Sequence, residues 1–173
     1  TEKEIKARYK HTLFGFLWVI LNPLLQMIVI GFVFSFFIRL PVANYYLFLF
    51  AGLLPWQFFS LSLSQVTPSF IRERSLLQKS NFPREVIPLS IILSNFFHFV
   101  VSLLMFLVFL LFTGKLLFPQ ILLVIPASLA LLLLTIGVSL FTATLQVRFR
   151  DISFFVPSLL ALWFSAPPIV YNL

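Results

Sequence analysis

Residues 86–114 read VIPLSIILSNFFHFVVSLLMFLVFLLFTG, a run with no Asp, Glu, Lys or Arg and one titratable side chain, His98. It is longer than the roughly 20 residues that carry an α-helix across a hydrocarbon core about 30 Å thick. Backbone amides inside lipid find no water, so a helix is the conformation in which this run satisfies its own hydrogen bonds. Similar charge-free runs surround it: Thr12 to Ile38, Leu40 to Ile71, Leu116 to Val147 and Ile152 to Leu173. The whole chain shares the bias, with 173 residues that are 61% hydrophobic and 10% charged and a mean hydropathy of +1.08. Soluble domains are roughly half apolar and a quarter charged. The reading is an all-α integral membrane protein, a single transmembrane domain with five spans at about 16–38, 46–66, 86–112, 121–145 and 154–170.

The cations orient it. Of the 12 Lys and Arg residues, all but Arg39 and Lys115 fall in the amino-terminal segment, in the connection between the second and third spans, or in that between the fourth and fifth. Positive residues stay on the cytoplasmic side, so these three segments are expected inside and the amino terminus with them. The net charge of +7 is accounted for by this orientation, with no nucleic-acid partner.

Residues 2–15 mix cations with Ile5, Tyr9 and Leu13 at helical spacing, followed by Phe16, and read as an amphipathic helix lying in the membrane interface. The segment has no small-residue cleavage site, which argues against a removed signal peptide. Pro55 lies in the middle of the second span and is expected to kink it. Thr67-Pro68 looks like an N-cap and first-position pair for a short surface helix over FIRERSLLQKS, residues 70–80. Then comes NFPREVIPLS, residues 81–90, in which Pro83 holds Phe82 extended and Glu85 sits near the positive end of the third span. This elbow is stiff and charged between two apolar runs. The fifth span ends in Ala166-Pro167-Pro168-Ile169, where Pro-Pro would disrupt a continuing helix and no charged tail anchors the end, so a truncated chain is expected.

Several chemistries are excluded. The five acids, Glu2, Glu4, Glu73, Glu85 and Asp151, all lie in the charged segments, leaving His98 as the one candidate for a proton relay inside a span. A histidine there more commonly packs between helices, here beside Ser94 or Asn95. Gly114-Lys115 lacks the first Gly and the Ser or Thr of a phosphate-binding loop, so ATP would have to be bound by another subunit. With no cysteine and two histidines, no nucleophile cluster or metal site is formed. Ser60 and Ser64 share a helical face with Gln57 and read as packing contacts. The 24 Phe and the residues Trp18, Tyr45, Tyr46, Trp56, Trp163 and Tyr171 fit an interfacial belt or a pathway lined with rings suited to sugars.

Four segments in order resemble one family. IKARYKHTLFGFLWVILNPLL (5–25), YLFLFAGLLPWQFFSLSLSQ (46–65), LLQKSNFPREVIPLS (76–90) and VRFRDI (147–152) followed by SAPPIVY (165–171) are similar to the membrane subunit of bacterial ABC exporters for O-antigen, capsule or teichoic-acid polymers. The resemblance implies a homodimer of six-span permeases in the bacterial inner membrane, working with two separate ATPase subunits that hold ATP and Mg, while this chain binds no cofactor. It implies a coupling helix after the second span: Arg72, Glu73, Arg74, Leu77, Gln78 and Lys79 would dock on the ATPase, with Phe82, Pro83, Arg84 and Glu85 as the link to the third span. Arg148, Arg150 and Asp151 would form a second cytoplasmic contact. Lys6, Arg8, Tyr9, Lys10 and His11 on the interfacial helix would meet a lipid-linked glycan. The plain alternative for each cluster is a solvated or headgroup-bound segment that only sets topology. For the whole chain the alternatives are a drug or lipid exporter on the same fold, and an ATP-independent channel or proton-coupled carrier.

Overall fold

The computed structural model describes residues 45–73, 84–113 and 118–165, with the isolated helical positions 21, 25, 28, 29 and 32. Its elements are α1 Tyr45–Val66, α2 Ser69–Arg72, α3 Val86–Phe112, α4 Phe118–Arg148 and α5 Ile152–Ser165. No strand occurs among the described residues, in keeping with the all-α reading. The interfacial helix expected at 2–15 lies outside them, as does most of the first span.

Two stretches, Val86–Phe112 and Leu122–Arg148, are long and apolar enough to cross a membrane, each with a mean hydropathy of 2.4, yet only 22% and 11% of their most apolar parts are buried within the protein. A core helix of a soluble protein would be mostly covered. Instead Leu111, Phe112, Leu122, Phe141, Phe154 and Leu162 are exposed on the outside of the bundle. An apolar surface this extensive calls for a hydrocarbon surrounding, and the chain is an all-α membrane protein.

Side-chain periodicity sets the packing. On α1 the buried Leu47, Phe50, Leu54 and Phe58 recur at three- and four-residue steps with Val66 two turns on, and on α3 Ile92, Phe99 and Phe106 recur every seven residues beside Ile91. The two stripes meet as ring pairs: Phe50 with Phe106 at 5.3 Å between centroids, and Phe58 stacked on Phe99 at 5.4 Å and edge-on to Phe96 at 5.5 Å. As α1 advances its partners on α3 come from earlier positions, so the helices are antiparallel. α4 packs on α1 and α3 and contributes Ala143 to the same core. α5 covers the opposite side of α1 through Phe59, Leu63, Val156 and Leu160, with Trp163 edge-on to Phe59 at 6.2 Å. α1 continues as helix through Pro55.

Phe58 pairs with two of these rings, Phe96 and Phe99, and is 3% exposed. Lipid tails are as apolar as the core, so the usual gain from leaving water is absent and the cost of truncation is the void itself. At about 24 cal/mol per Å³ over a void of roughly 100 Å³, plus about 0.5–1.5 kcal/mol for each lost ring pair, Phe58→Ala is expected to cost about 3–5 kcal/mol. Unfolding in mixed micelles with a stepwise increase of SDS measures it, and a cost under about 1 kcal/mol would mean that this cluster does not hold α1 to α3.

One junction differs from expectation. Thr67 does not cap α2: its Oγ1 donates back to the Leu63 carbonyl at 2.6 Å and lies 3.1 Å from Thr142 Oγ1 on α4. The N-cap residue of α2 is Pro68, with no side-chain hydrogen bond. A threonine hydroxyl has a carbonyl one turn behind it whenever the preceding residues are helical, and here α1 runs up to Val66, so that nearer acceptor wins over the amides ahead.

Candidate functional site

The antiparallel order gathers the ends of several elements at one place. The carboxyl ends of α1 and α4 and the amino ends of α3 and α5 share one end of the bundle, and α2 packs there against α3 and α4. Every charged residue among those described belongs to this end: Arg72, Glu73, Arg84, Glu85, Arg148, Arg150 and Asp151. The opposite end of the described bundle carries none.

The elbow residues in view are solvent-facing. Arg72 closes α2 and its Nε lies 3.4 Å from Glu73 Oε1, with side chains 55% and 33% exposed. A pair this open is worth little to stability, about 0–1 kcal/mol, which leaves both charges available to a partner. Glu73 ends the turn by donating its N–H to the Ser69 carbonyl at 2.9 Å. Arg84 and Glu85 are exposed in the turn before α3, where the Glu85 carbonyl accepts from Leu89 N at 3.2 Å. Pro88 sits in the first turn of α3, where a missing N–H breaks no helical bond. Arg74, Leu77, Gln78, Lys79, Phe82 and Pro83 lie outside the described residues, and so do Lys6, Arg8, Tyr9, Lys10 and His11.

The second cytoplasmic candidate is a tight loop built on a buried amide. Gln146, 3% exposed, donates from Nε2 to the Arg150 carbonyl at 2.9 Å and accepts from Ser153 N at its Oε1 at 2.7 Å. Ser153 lies in the first turn of α5, whose amides have no intrahelical acceptor, so a side chain from the previous helix does the capping. The Asp151 carbonyl accepts from Phe155 N at 3.1 Å. Arg148, the last residue of α4, places its guanidinium carbon 5.8 Å from the centroid of Phe149. The backbone of the loop is therefore held from inside while its charged side chains face out.

Between this end and the ring pairs runs a polar seam that the sequence did not reveal. Asn95, 2% exposed on α3, donates from Nδ2 to Ser62 Oγ at 3.3 Å and to Gln65 Oε1 at 3.2 Å, both on α1. On α4 the seam continues through Thr135, Ser139, Thr142 and Gln146, spaced four, three and four apart on one helical face. Thr135 donates back to the Leu131 carbonyl at 2.7 Å, but Ser139 Oγ is buried with no hydrogen-bond partner. Ser139→Ala removes a desolvated group that gains nothing in return, so the variant is expected to match or exceed the parent in stability by up to about 1 kcal/mol. Scanning fluorimetry in detergent checks this, and a clear loss would mean that the hydroxyl has a partner in the membrane.

His98 is half-buried one turn along α3 from Asn95; its carbonyl accepts from Ser102 Oγ at 2.8 Å and its ring stands edge-on to Phe97 at 6.2 Å. Ser60 donates to the Gln57 carbonyl at 3.3 Å, a local bond along α1. Among the described residues no group of His, Cys, Asp and Glu is placed to hold a metal ion.

The chain is similar to O-antigen export system permease proteins. One from Myxococcus xanthus is 37% identical over 178 residues, and one from Klebsiella pneumoniae is 38% identical over 172. Each alignment takes in 99% of this chain and 66% of the relative, so the chain spans just under two thirds of their length. The family model described as ABC-2 type transporter matches residues 1–173. A bundle of apolar helices matched to that model from its first residue to its last belongs to the ABC-2 type transporter family.

Proposed function

We propose that this protein is the transmembrane subunit of an ATP-driven exporter that moves polysaccharide or lipid-linked glycan across the bacterial inner membrane. The observation that carries the reading is the identity of 37–38% over 99% of the chain to proteins described as O-antigen export permeases. The gathering of Arg72, Glu73, Arg84, Glu85, Arg148, Arg150 and Asp151 at one end supports it, because an ATPase subunit in the cytoplasm needs one accessible, polar docking face.

In this reading the charged end faces the cytoplasm, and the amino terminus with it. Residues 2–15 lie in the interface, and five spans of a six-span subunit fall within residues 1–173. The segment Arg72 to Lys79 is the coupling helix, Phe82 to Glu85 is its link to α3, and Arg148, Arg150 and Asp151 add a second contact. Lys6, Arg8, Tyr9, Lys10 and His11 receive the anionic part of a lipid-linked glycan. The permease pairs with a second copy and with two ATPase subunits, which bind ATP and Mg and perform the hydrolysis. A drug or lipid exporter on the same fold differs in cargo and not in this arrangement.

Native mass spectrometry of the full-length protein purified gently from its own cells tests the assembly. Two permeases with two ATPase subunits are expected; a homomeric assembly that retains no ATPase after cross-linking would overturn the exporter reading and favour a channel or carrier. His98→Ala separates the carrier further. Export by the variant is expected to stay within about twofold of the parent, since a packing histidine contributes little beyond about 1 kcal/mol. A selective loss of export in a folded variant would make His98 a proton relay.

A further inference from the structure

The two charged segments proposed to face the ATPase are far apart in sequence and are tied together from inside. Thr67, 1% exposed, follows α1 and starts the path to the elbow; its Oγ1 lies 3.1 Å from Thr142 Oγ1 of α4. Each hydroxyl has one proton and two lone pairs; Thr67 gives its proton to the Leu63 carbonyl, so Thr142, whose other acceptor is the Ser139 carbonyl at 3.0 Å, is the one that can donate across the gap. One turn further along α4, Gln146 holds the Arg150 carbonyl and the first turn of α5. Between them α2 lies against α3 and α4, with Ser69 fully buried and Phe70 packed on the main core.

We propose that Thr67, Thr142 and Gln146 are positioning residues that clasp the start of the α1–α3 connection and the α4–α5 loop into a single unit, so that both segments offered to the ATPase move together. This rests on the exporter reading for its purpose but not for its geometry. Two separate contacts on flexible loops would absorb a push from the ATPase; contacts fixed to each other pass it to α1 and α4 at once. Thr67 and Gln146 are buried, and the bonds they make are partly shielded from water.

Two measurements on the full-length protein in nanodiscs test the clasp. Thr67→Cys with Thr142→Cys, in a background without other cysteines, puts two thiols where the oxygens are 3.1 Å apart, within reach of an S–S bond after small side-chain shifts. Mild oxidation is expected to link them, with ATP-driven export staying within about twofold of the reduced protein, whereas a drop of about tenfold that reductant reverses would show that the segments must separate, and failure to link would show that they do not meet.

Nitroxide labels at positions 72 and 150 give the second readout and need no export. A single narrow distance distribution is expected in the parent, unchanged by ATP and the ATPase subunit, and broadened in Thr142→Val with Gln146→Leu. A broad distribution in the parent, or no broadening in the variant, overturns the clasp. A parent that never exports with ATP would instead sink the exporter reading, while a narrow parental distribution broadened by the variant would leave the clasp in place.

Discussion

Asn95→Asp is expected to destabilise the bundle by several kcal/mol, while Asn95→Leu costs about 1–2 kcal/mol. The amide of Asn95 is 2% exposed and ties α3 to Ser62 and Gln65 of α1. Hydrogen bonds between membrane helices average about 0.6 kcal/mol and reach about 1.7, so losing two of them to leucine stays modest. Aspartate is nearly the same size, but it replaces a double donor with an acceptor that carries charge. Ser62 and Gln65 can turn to donate, yet they cannot replace the hydration of a carboxylate, and an acid at the centre of a membrane helix costs about 2.5–3.5 kcal/mol even on the mildest scales. SDS unfolding of the three proteins gives the order parent, leucine, aspartate. Equal losses in the two variants would mean that the site is wet.

The contrast also bears on what sequence could reveal. Charge-free runs and the placement of Lys and Arg made the all-helical membrane class legible, because the bilayer penalises charge and bare amides at every position alike. The gathering of charge at one end was implicit in the same pattern, since antiparallel helices joined by turns bring alternate connections together. The seam was not legible. Asn95 stood out as a polar residue in a span, but its partners depend on the register of α1 against α3, which Phe50–Phe106 and Phe58–Phe99 packing sets. Gln146, close to Arg148 and Arg150, reads as part of a solvated helix end. Its burial arises only when the loop folds back and offers the Arg150 carbonyl and Ser153 N–H. Thr67 before Pro68 has the local signature of a cap, and a carbonyl one turn behind it decided otherwise.

Leu77→Asp and Phe82→Asp are each expected to abolish ATP-driven export while leaving membrane insertion intact. Both residues are apolar within the charged segment RERSLLQKSNFPRE, residues 72–85, and neither is a cation that would set topology. In the proposed reading these two apolar side chains amid charge dock into the ATPase subunit. Burying one such side chain contributes about 1.5–3 kcal/mol, and an aspartate in the same pocket adds a desolvation penalty. At about 1.4 kcal/mol per tenfold, the affinity for the ATPase subunit should fall at least about 10–100-fold. The measurements are co-purification of the ATPase, ATP-driven export and protease protection of the loops in the same membranes. If the segment only set topology, both variants would keep the ATPase and export normally, because neither substitution removes a cation. Loss of export with the ATPase still bound would place these residues in transmission and not in docking, and Pro83, proposed as part of the link, would be the next position to vary.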